Sequence, residues 1–163
     1  MIWIKTLCFG VVAMGTVVAG IPYWLVMSTQ HTASEMELGL WAWLGLPLFL
    51  AGALLAGWCA SHFVIHGHGT PAPIDPPKQL VVQGPYRYVR NPMYWGVLLM
   101  VVGEFFVFES AVLLFYAILL LAGFHLFTIW YEEPVLRRTF GDAYVEYCQR
   151  VPRWWPAIFP RKR

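Results

Sequence analysis

Charge is what this chain has least of. Only 12% of its 163 residues are Asp, Glu, Lys or Arg, against 59% that are hydrophobic. A soluble domain is about 25% charged and about 45–50% apolar. So little charge excludes an ordinary water-facing surface and points to a bilayer as solvent. Cysteine is also scarce. Cys8, Cys59 and Cys148 are far apart and form no CxxC pair, so they read as small apolar fillers rather than a disulfide framework or a thiolate metal site. No internal repeat and no low-complexity tract divides the chain, and its length suits a single domain over 1–163.

What is present is a series of long apolar runs. The first, about 4–27, is 24 residues long, or about 36 Å at about 1.5 Å per residue, enough to span a bilayer with some tilt. It continues past the small residues Ala19 and Gly20 through Trp24 to Met27. That is long for the apolar core of a signal peptide, so an uncleaved first helix is expected, bent near its end by Pro22. A second span covers about 38–64, with Gly39, Gly45, Gly52 and Gly57 available for close helix approach. The stretch from Ile65 to Asn91 is too rich in proline to be a span. A third helix opens at Pro92 and covers about 93–108. A turn at Glu109-Ser110, with Ser110 able to cap, leads to a fourth over about 111–131. The spacing therefore predicts an all-α polytopic membrane protein with about four transmembrane helices and a cytoplasmic C-terminal helical segment, opened by Pro134. Nine Trp and eight Tyr fit residues that collect at membrane interfaces.

The placement of charge gives an orientation. All eleven Lys and Arg lie near the N-terminus, in the 65–91 connection or after the fourth span. The other two connections hold only Glu35, Glu37 and Glu109. Positive residues mark the cytoplasmic side, which puts both termini and the long connection there, and four spans give the same parity. The expected location is an inner (plasma) membrane of bacterial type. The tail Arg161-Lys162-Arg163 suits anionic lipid.

Two cytoplasmic segments carry the unusual residues. The first is Gly84-Pro85-Tyr86-Arg87-Tyr88-Val89-Arg90-Asn91-Pro92-Met93-Tyr94, a loop entering the third helix. The second begins with Glu132-Glu133 and continues through Phe140-Gly141, Tyr144, Tyr147 and Val151-Pro152-Arg153. A helix N-terminus offers N–H groups to a carboxylate, and Arg90 and Asn91 add side-chain donors. Carboxylates beside aromatic rings suit a cationic ligand with hydroxyls. Plain turns, lipid anchoring by Arg87 and Arg90, and solvation of a helix end would account for the same residues. His125 lies seven residues before Glu132, on roughly the same helical face. It is a candidate for lining a substrate cavity, because an ionisable residue inside a span is a functional candidate by default. His62 and His66 are one turn apart, as in metal-binding helices, but a membrane di-iron site needs several more such pairs, so no metal is expected. Glu104 is placed near the outer end of the third helix, hydrated and structural.

Together the segments resemble the isoprenylcysteine carboxyl methyltransferase and phospholipid methyltransferase superfamily. The matching residues are Gly84-x-Tyr86-x-x-x-Arg90-Asn91-Pro92-x-Tyr94-x-Gly96 and Glu132-Glu133-x-x-Leu136-x-x-x-Phe140-Gly141-x-x-Tyr144-x-x-Tyr147-x-x-x-Val151-Pro152. The resemblance covers about half the chain. It implies S-adenosylmethionine as cofactor, bound over about 78–156 at the cytoplasmic face, beside a lipid-accessible substrate tunnel. Carried over residue by residue, it implies cofactor contacts at Gln79, Leu80, Val81, Tyr86, Asn91, Pro92, Met93, Tyr94 and Glu132. The residue chemistry above adds Arg90 and Glu133.

Three positions depart from the family pattern. Asn91 stands where the animal enzymes have His, so it keeps a hydrogen bond but not a proton relay. Lys78 replaces another cofactor-contacting His. Thr128 stands where carboxyl methyltransferases hold the substrate carboxylate with Arg, which makes Thr128 a substrate candidate and weakens the case for prenylcysteine as acceptor. The expected function is methyl transfer to a lipophilic or small apolar carboxylate, thiol or amine. No catalytic residue is assigned, with Glu133 the nearest base in sequence. The alternatives are an NADPH-dependent reductase of the sterol-reductase type, or a non-enzymatic four-helix transporter. The bilayer and the acceptor are the expected partners, and no nucleic acid is.

Overall fold

The structure is a computed structural model that describes residues 2–29, 41–70 and 77–155, and every regular element among these is helical. Glu35, Glu37, the start of the second span at 38 and the tail 161–163 lie outside the described residues. Helix α1 (Ile2–Thr29) and helix α2 (Ala42–Ile65) are both long and apolar enough to cross a membrane. Helix α3 (Pro92–Phe108) follows the long connection. Helix α4 (Ala111–Phe127) runs through a π segment (Thr128–Glu132) into α5 (Glu133–Phe140), and α6 (Asp142–Arg150) comes last.

The fourfold plan of apolar helices holds, with two differences of length. Helix α3 has 17 residues, about 25 Å at about 1.5 Å per residue, short for a hydrocarbon core of about 30 Å. The last apolar helix does not stop at 131 but continues unbroken to Phe140. Pro134 therefore does not open a separate surface helix but sits inside this continuous helix, just after the π segment, where its missing N–H leaves a carbonyl of that segment without its helical donor.

Helices α2 and α3 pack as an antiparallel pair, and the sequence shows why. Gly45 and Gly52 on α2 are spaced as Gly96 and Gly103 are on α3. A Cβ on Gly45 would lie 2.5 Å from the Gly103 carbonyl oxygen, and one on Gly52 would lie 2.5 Å from that of Gly96. Backbones this close maximise dispersion contact where lipid supplies no hydrophobic drive. Gly57 faces open space and takes no part. Val18, Ala56, Val97 and Met100 form the central cluster, with Phe49 and Phe124 against it, so all four long helices meet there.

Helix α1 is wound as a π-helix over Gly15–Gly20, and Ile21 N–H reaches Thr16 O. The next donor in that register would be residue 22, but Pro22 has no N–H. Tyr116 Oη on α4 donates to Val17 O instead, at 2.9 Å. A carbonyl in hydrocarbon needs such a partner, so the expected disturbance at Pro22 becomes an interhelical tie. The α3–α4 turn places Glu109 in the left-handed region, with φ 47°. Ser110 occupies the N-cap position, but its side chain makes no capping bond. Glu104, expected to be hydrated, instead has its Oε2 buried with no hydrogen-bond partner among the described residues. Outward positions such as Trp3, Leu7, Val12, Trp43, Leu54 and Phe115 are apolar and exposed, as a lipid-facing surface requires.

Candidate active site at the start of helix α3

The connection before α3 folds back onto the end of α2. Gly84 begins a 3₁₀ turn, Gly84–Arg87, and has φ +59°, a conformation that favours glycine. A Cβ there would collide with the His62 ring. The turn drives Tyr86 into a buried cluster with Cys59 and Val81, and Met93 packs against them. Burial pushes the Tyr86 hydroxyl well above its ordinary pKa, and nearby Cys59 adds to the shift. Tyr86 therefore acts as a neutral phenol. Its carbonyl accepts the Tyr147 hydroxyl at 2.7 Å, which fastens α6 over the turn. Burial likewise raises Tyr147 and Tyr144, and both pack with Val151.

These elements enclose a cavity of about 180 Å³. Tyr86, Arg90, Asn91 and Tyr94 line it from the first motif, Thr128 and Glu132 from the π segment, and Phe140, Tyr144 and Tyr147 from the C-terminal helices. The side chains of Glu132 and Glu133, adjacent in sequence, leave the helix in different directions. Glu132 faces the cavity, where its Oε2 accepts from Tyr94 Oη at 3.0 Å. The Tyr94 ring is itself fixed by stacking on Phe124, with centroids 4.4 Å apart at 14°. Glu133 turns the other way. Its Oε1 and Oε2 accept from Arg153 Nε and Nη2 at 2.6 and 2.9 Å, and Oε1 also accepts from Arg90 Nη1 at 2.9 Å. The hydrogen bond to Glu133 raises the pKa of Arg153. Arg90 Nη1 lies 2.9 Å from Cys148 Sγ, while Arg90 Nε is buried with no hydrogen-bond partner among the described residues.

Of the residues singled out from sequence, Leu80, Val81, Tyr86, Arg90, Asn91, Tyr94, Thr128 and Glu132 line this cavity. Gln79 is exposed, Pro92 is buried as the first residue of α3, and Met93 supports Tyr86 from behind. Glu133 is engaged outside the cavity. His125 also lies elsewhere. It accepts Trp154 Nε1 at 3.0 Å and lines a separate apolar groove with Trp95, Ile118 and Leu121. Sequence reasoning missed Phe63, Pro77, Phe127, Tyr131 and Val135 as lining residues. Phe63 and Pro77 carry no local signal, because the fold-back of the connection alone brings them there. Tyr131 and Val135 could have been found, since they flank Glu132 within one helical turn. His62 and His66 stack with centroids 5.0 Å apart. Among the described residues, no group of three or more His, Cys, Asp or Glu is placed to hold a metal.

Against known proteins, the model of the family described as phospholipid methyltransferase matches residues 40–143. The chain is 35% identical over 80 residues to protein-S-isoprenylcysteine O-methyltransferase B of Arabidopsis thaliana, covering 49% of this chain and 41% of that protein. It is 36% identical over 80 residues to a probable protein-S-isoprenylcysteine O-methyltransferase of Oryza sativa subsp. indica, covering 49% and 42%. The Schizosaccharomyces pombe protein-S-isoprenylcysteine O-methyltransferase is 35% identical over 79 residues, covering 48% and 34%. The chain thus matches less than half the length of these relatives. No solved structure matches.

Proposed function

This chain belongs to the phospholipid methyltransferase family, and from that premise we infer that it transfers a methyl group from S-adenosylmethionine to a lipophilic or small apolar acceptor at the cytoplasmic face of its membrane. The observation that carries this reading is the polar pattern of the cavity. The half-buried Glu132 carboxylate is held by the Tyr94 hydroxyl, and Arg90, which lines the same cavity, has its Nε buried with no hydrogen-bond partner among the described residues. A ligand bearing both cationic groups and a carboxylate fits that pair. Glu132 would take a cation or hydroxyls, and Arg90 the carboxylate. Tyr131, Phe140 and Tyr144 offer ring faces to a heterocycle or a sulfonium.

When bound, S-adenosylmethionine supplies a methyl group already activated on a sulfonium sulfur. The chain's own residues then have to bind, orient and exclude water. Tyr86, Tyr144 and Tyr147, neutral and buried, close the cavity's inner wall, and Tyr94 fixes the Glu132 carboxylate. Both Glu133 oxygens accept from guanidinium donors, so Glu133 is committed to Arg90 and Arg153 rather than to a methyl acceptor. A carboxylate or thiolate acceptor needs no base. An amine or thiol must arrive deprotonated or lose its proton to solvent or to Glu132. Thr128, buried beside Glu132, has no charge with which to clamp a carboxylate. In this reading the protein sits in an inner membrane of bacterial type with both termini cytoplasmic. A carboxylate in the cavity would repel the 2′-phosphate of NADPH, which disfavours the reductase.

The test is calorimetric titration of the purified protein with S-adenosylhomocysteine and, separately, with NADPH. Binding of the first alone is expected, and Glu132→Ala should weaken it by about tenfold or more, the scale of a lost charge-assisted hydrogen bond. Binding of NADPH alone would overturn the reading. Unchanged affinity in Glu132→Ala would remove that residue from the site.

A further inference from the structure

The residues just after α6 lie across the start of α3, and in two of the three contacts between them both partners are residues of the two cytoplasmic segments. The Arg90 backbone N–H donates to Pro152 O at 2.9 Å. Asn91 Nδ2 donates to Arg153 O at 3.2 Å, and Trp95 Nε1 donates to Trp154 O at 2.8 Å. Three residues of one helix entrance thus hold three consecutive carbonyls of residues 152–154. A single carboxylate fastens the arrangement from below. Glu133 accepts both prongs of the Arg153 guanidinium and one nitrogen of Arg90. Its side chain is 12% exposed, and that of Arg90 is 13% exposed. At that burial, two guanidinium groups without the carboxylate between them would repel each other.

We propose that Glu133 is a positioning residue: its carboxylate clasps Arg90 to Arg153, and through that clasp the strap of residues 151–155 sets the Arg90 and Asn91 side chains in the cavity. This rests on the methyltransferase reading for what the cavity binds. Glu133 has no contact with the cavity itself, whereas Arg90 and Asn91 both line it. Arg90 has two tethers, its backbone to the strap and its Nη1 to Glu133 and Cys148, while its Nε is buried with no hydrogen-bond partner among the described residues. Asn91 has its amide nitrogen committed to the strap, which fixes which end of its amide is left for a ligand. Neighbouring helical residues point about 100° apart, so the Glu132 and Glu133 side chains diverge, and Glu133 meets Arg153 of the returning chain while Glu132 meets Tyr94.

The experiment uses the full chain in detergent, comparing wild type, Glu133→Gln, Glu133→Asp and Arg153→Lys. Three quantities are read: S-adenosylhomocysteine affinity, the split between kcat and the KM for methyl donor, and trypsin cleavage after Arg150 and Arg153. Glu133→Gln keeps the shape but loses the charge. It should raise the dissociation constant and the donor KM about ten- to a hundredfold, the scale expected when a binding group is displaced by about 1 Å. It should also speed cleavage of the strap. Glu133→Asp should recover most of the affinity. Arg153→Lys, which keeps the charge but loses the two-pronged geometry, should be intermediate and serves if Glu133→Gln fails to fold. Faster cleavage with wild-type affinity would overturn the proposal, since the strap would then not position the cavity. Lost kcat with unchanged affinity and cleavage would also overturn it, because Glu133 would then act in the chemistry. If wild type fails to bind S-adenosylhomocysteine, the methyltransferase reading falls, and the cleavage comparison still decides whether Glu133 holds the strap.

Discussion

At the scale of single residues, the site depends on positions where only one side chain will do. Gly84 is the clearest. Its φ of +59° and the His62 ring beside it each oppose a Cβ, so Gly84→Ala has to change both backbone and neighbour. Strained substitutions of this kind cost about 1–3 kcal/mol. The variant should therefore lower the melting temperature and weaken S-adenosylhomocysteine binding together, read by thermal unfolding and calorimetry on the same sample. Tyr94→Phe should separate the two effects. It keeps the stack on Phe124 and removes only the bond to Glu132. A net contribution of about 0.5–1.5 kcal/mol for such a bond predicts a two- to tenfold loss of affinity, by the usual conversion of about 1.4 kcal/mol per factor of ten, with little change in melting temperature. An unchanged affinity would mean that Tyr94 does not help to hold Glu132 for the ligand.

Among the elements, the α2–α3 pair is the scaffold on which the α3 entrance rests, and its glycines make a sharp comparison. Gly52 meets the Gly96 carbonyl, whereas Gly57 meets nothing. Gly52→Ala should force the helices apart and cost about 1–3 kcal/mol, as overpacking does. Gly57→Ala, on the same helix, should be neutral or slightly stabilising. Thermal unfolding of both variants checks this, and equal melting temperatures would remove the glycine seam from the account of packing. The two π segments show the other way an element carries a site. Each is followed by a proline, at Pro22 and Pro134. A proline closing the π register leaves a carbonyl to find another donor. In α1 that donor is Tyr116. In α4 the π segment carries Thr128 and Glu132, and π segments of this kind are frequent at functional sites.

For the molecule as a whole, the charge pattern fixes an expected orientation that the helices alone do not. Fusion of a reporter active only in the cytoplasm should give signal at either end of the chain. Signal at one end only would mean that an odd number of helices crosses, with the 17-residue α3 the first to suspect because it is the shortest. The whole bundle also decides the site's surroundings. The cavity opens where α2 ends, α3 begins and α4 passes into α5, so a ligand there meets aromatic walls and protein carboxylate rather than lipid.

Much of this was written in the order of residues. The apolar runs, their lengths and the proline-rich break between the second and third helices follow from what a bilayer tolerates, which is a local property of each segment. The two motifs, which supply the cavity-lining residues Tyr86, Arg90, Asn91, Tyr94 and Glu132, were legible because they cluster near helix ends. The opposite directions of Glu132 and Glu133 were not legible. A pair of adjacent carboxylates reads alike until the returning chain supplies Arg153 to one and the half-buried Tyr94 meets the other. Phe63 and Pro77 were hidden for the same reason, as was the pairing of His125 with Trp154. Local sequence determines which segments are helical and which enter the membrane. Which face of each helix meets which neighbour depends on contacts between residues far apart in the chain, and only the tertiary structure decides that.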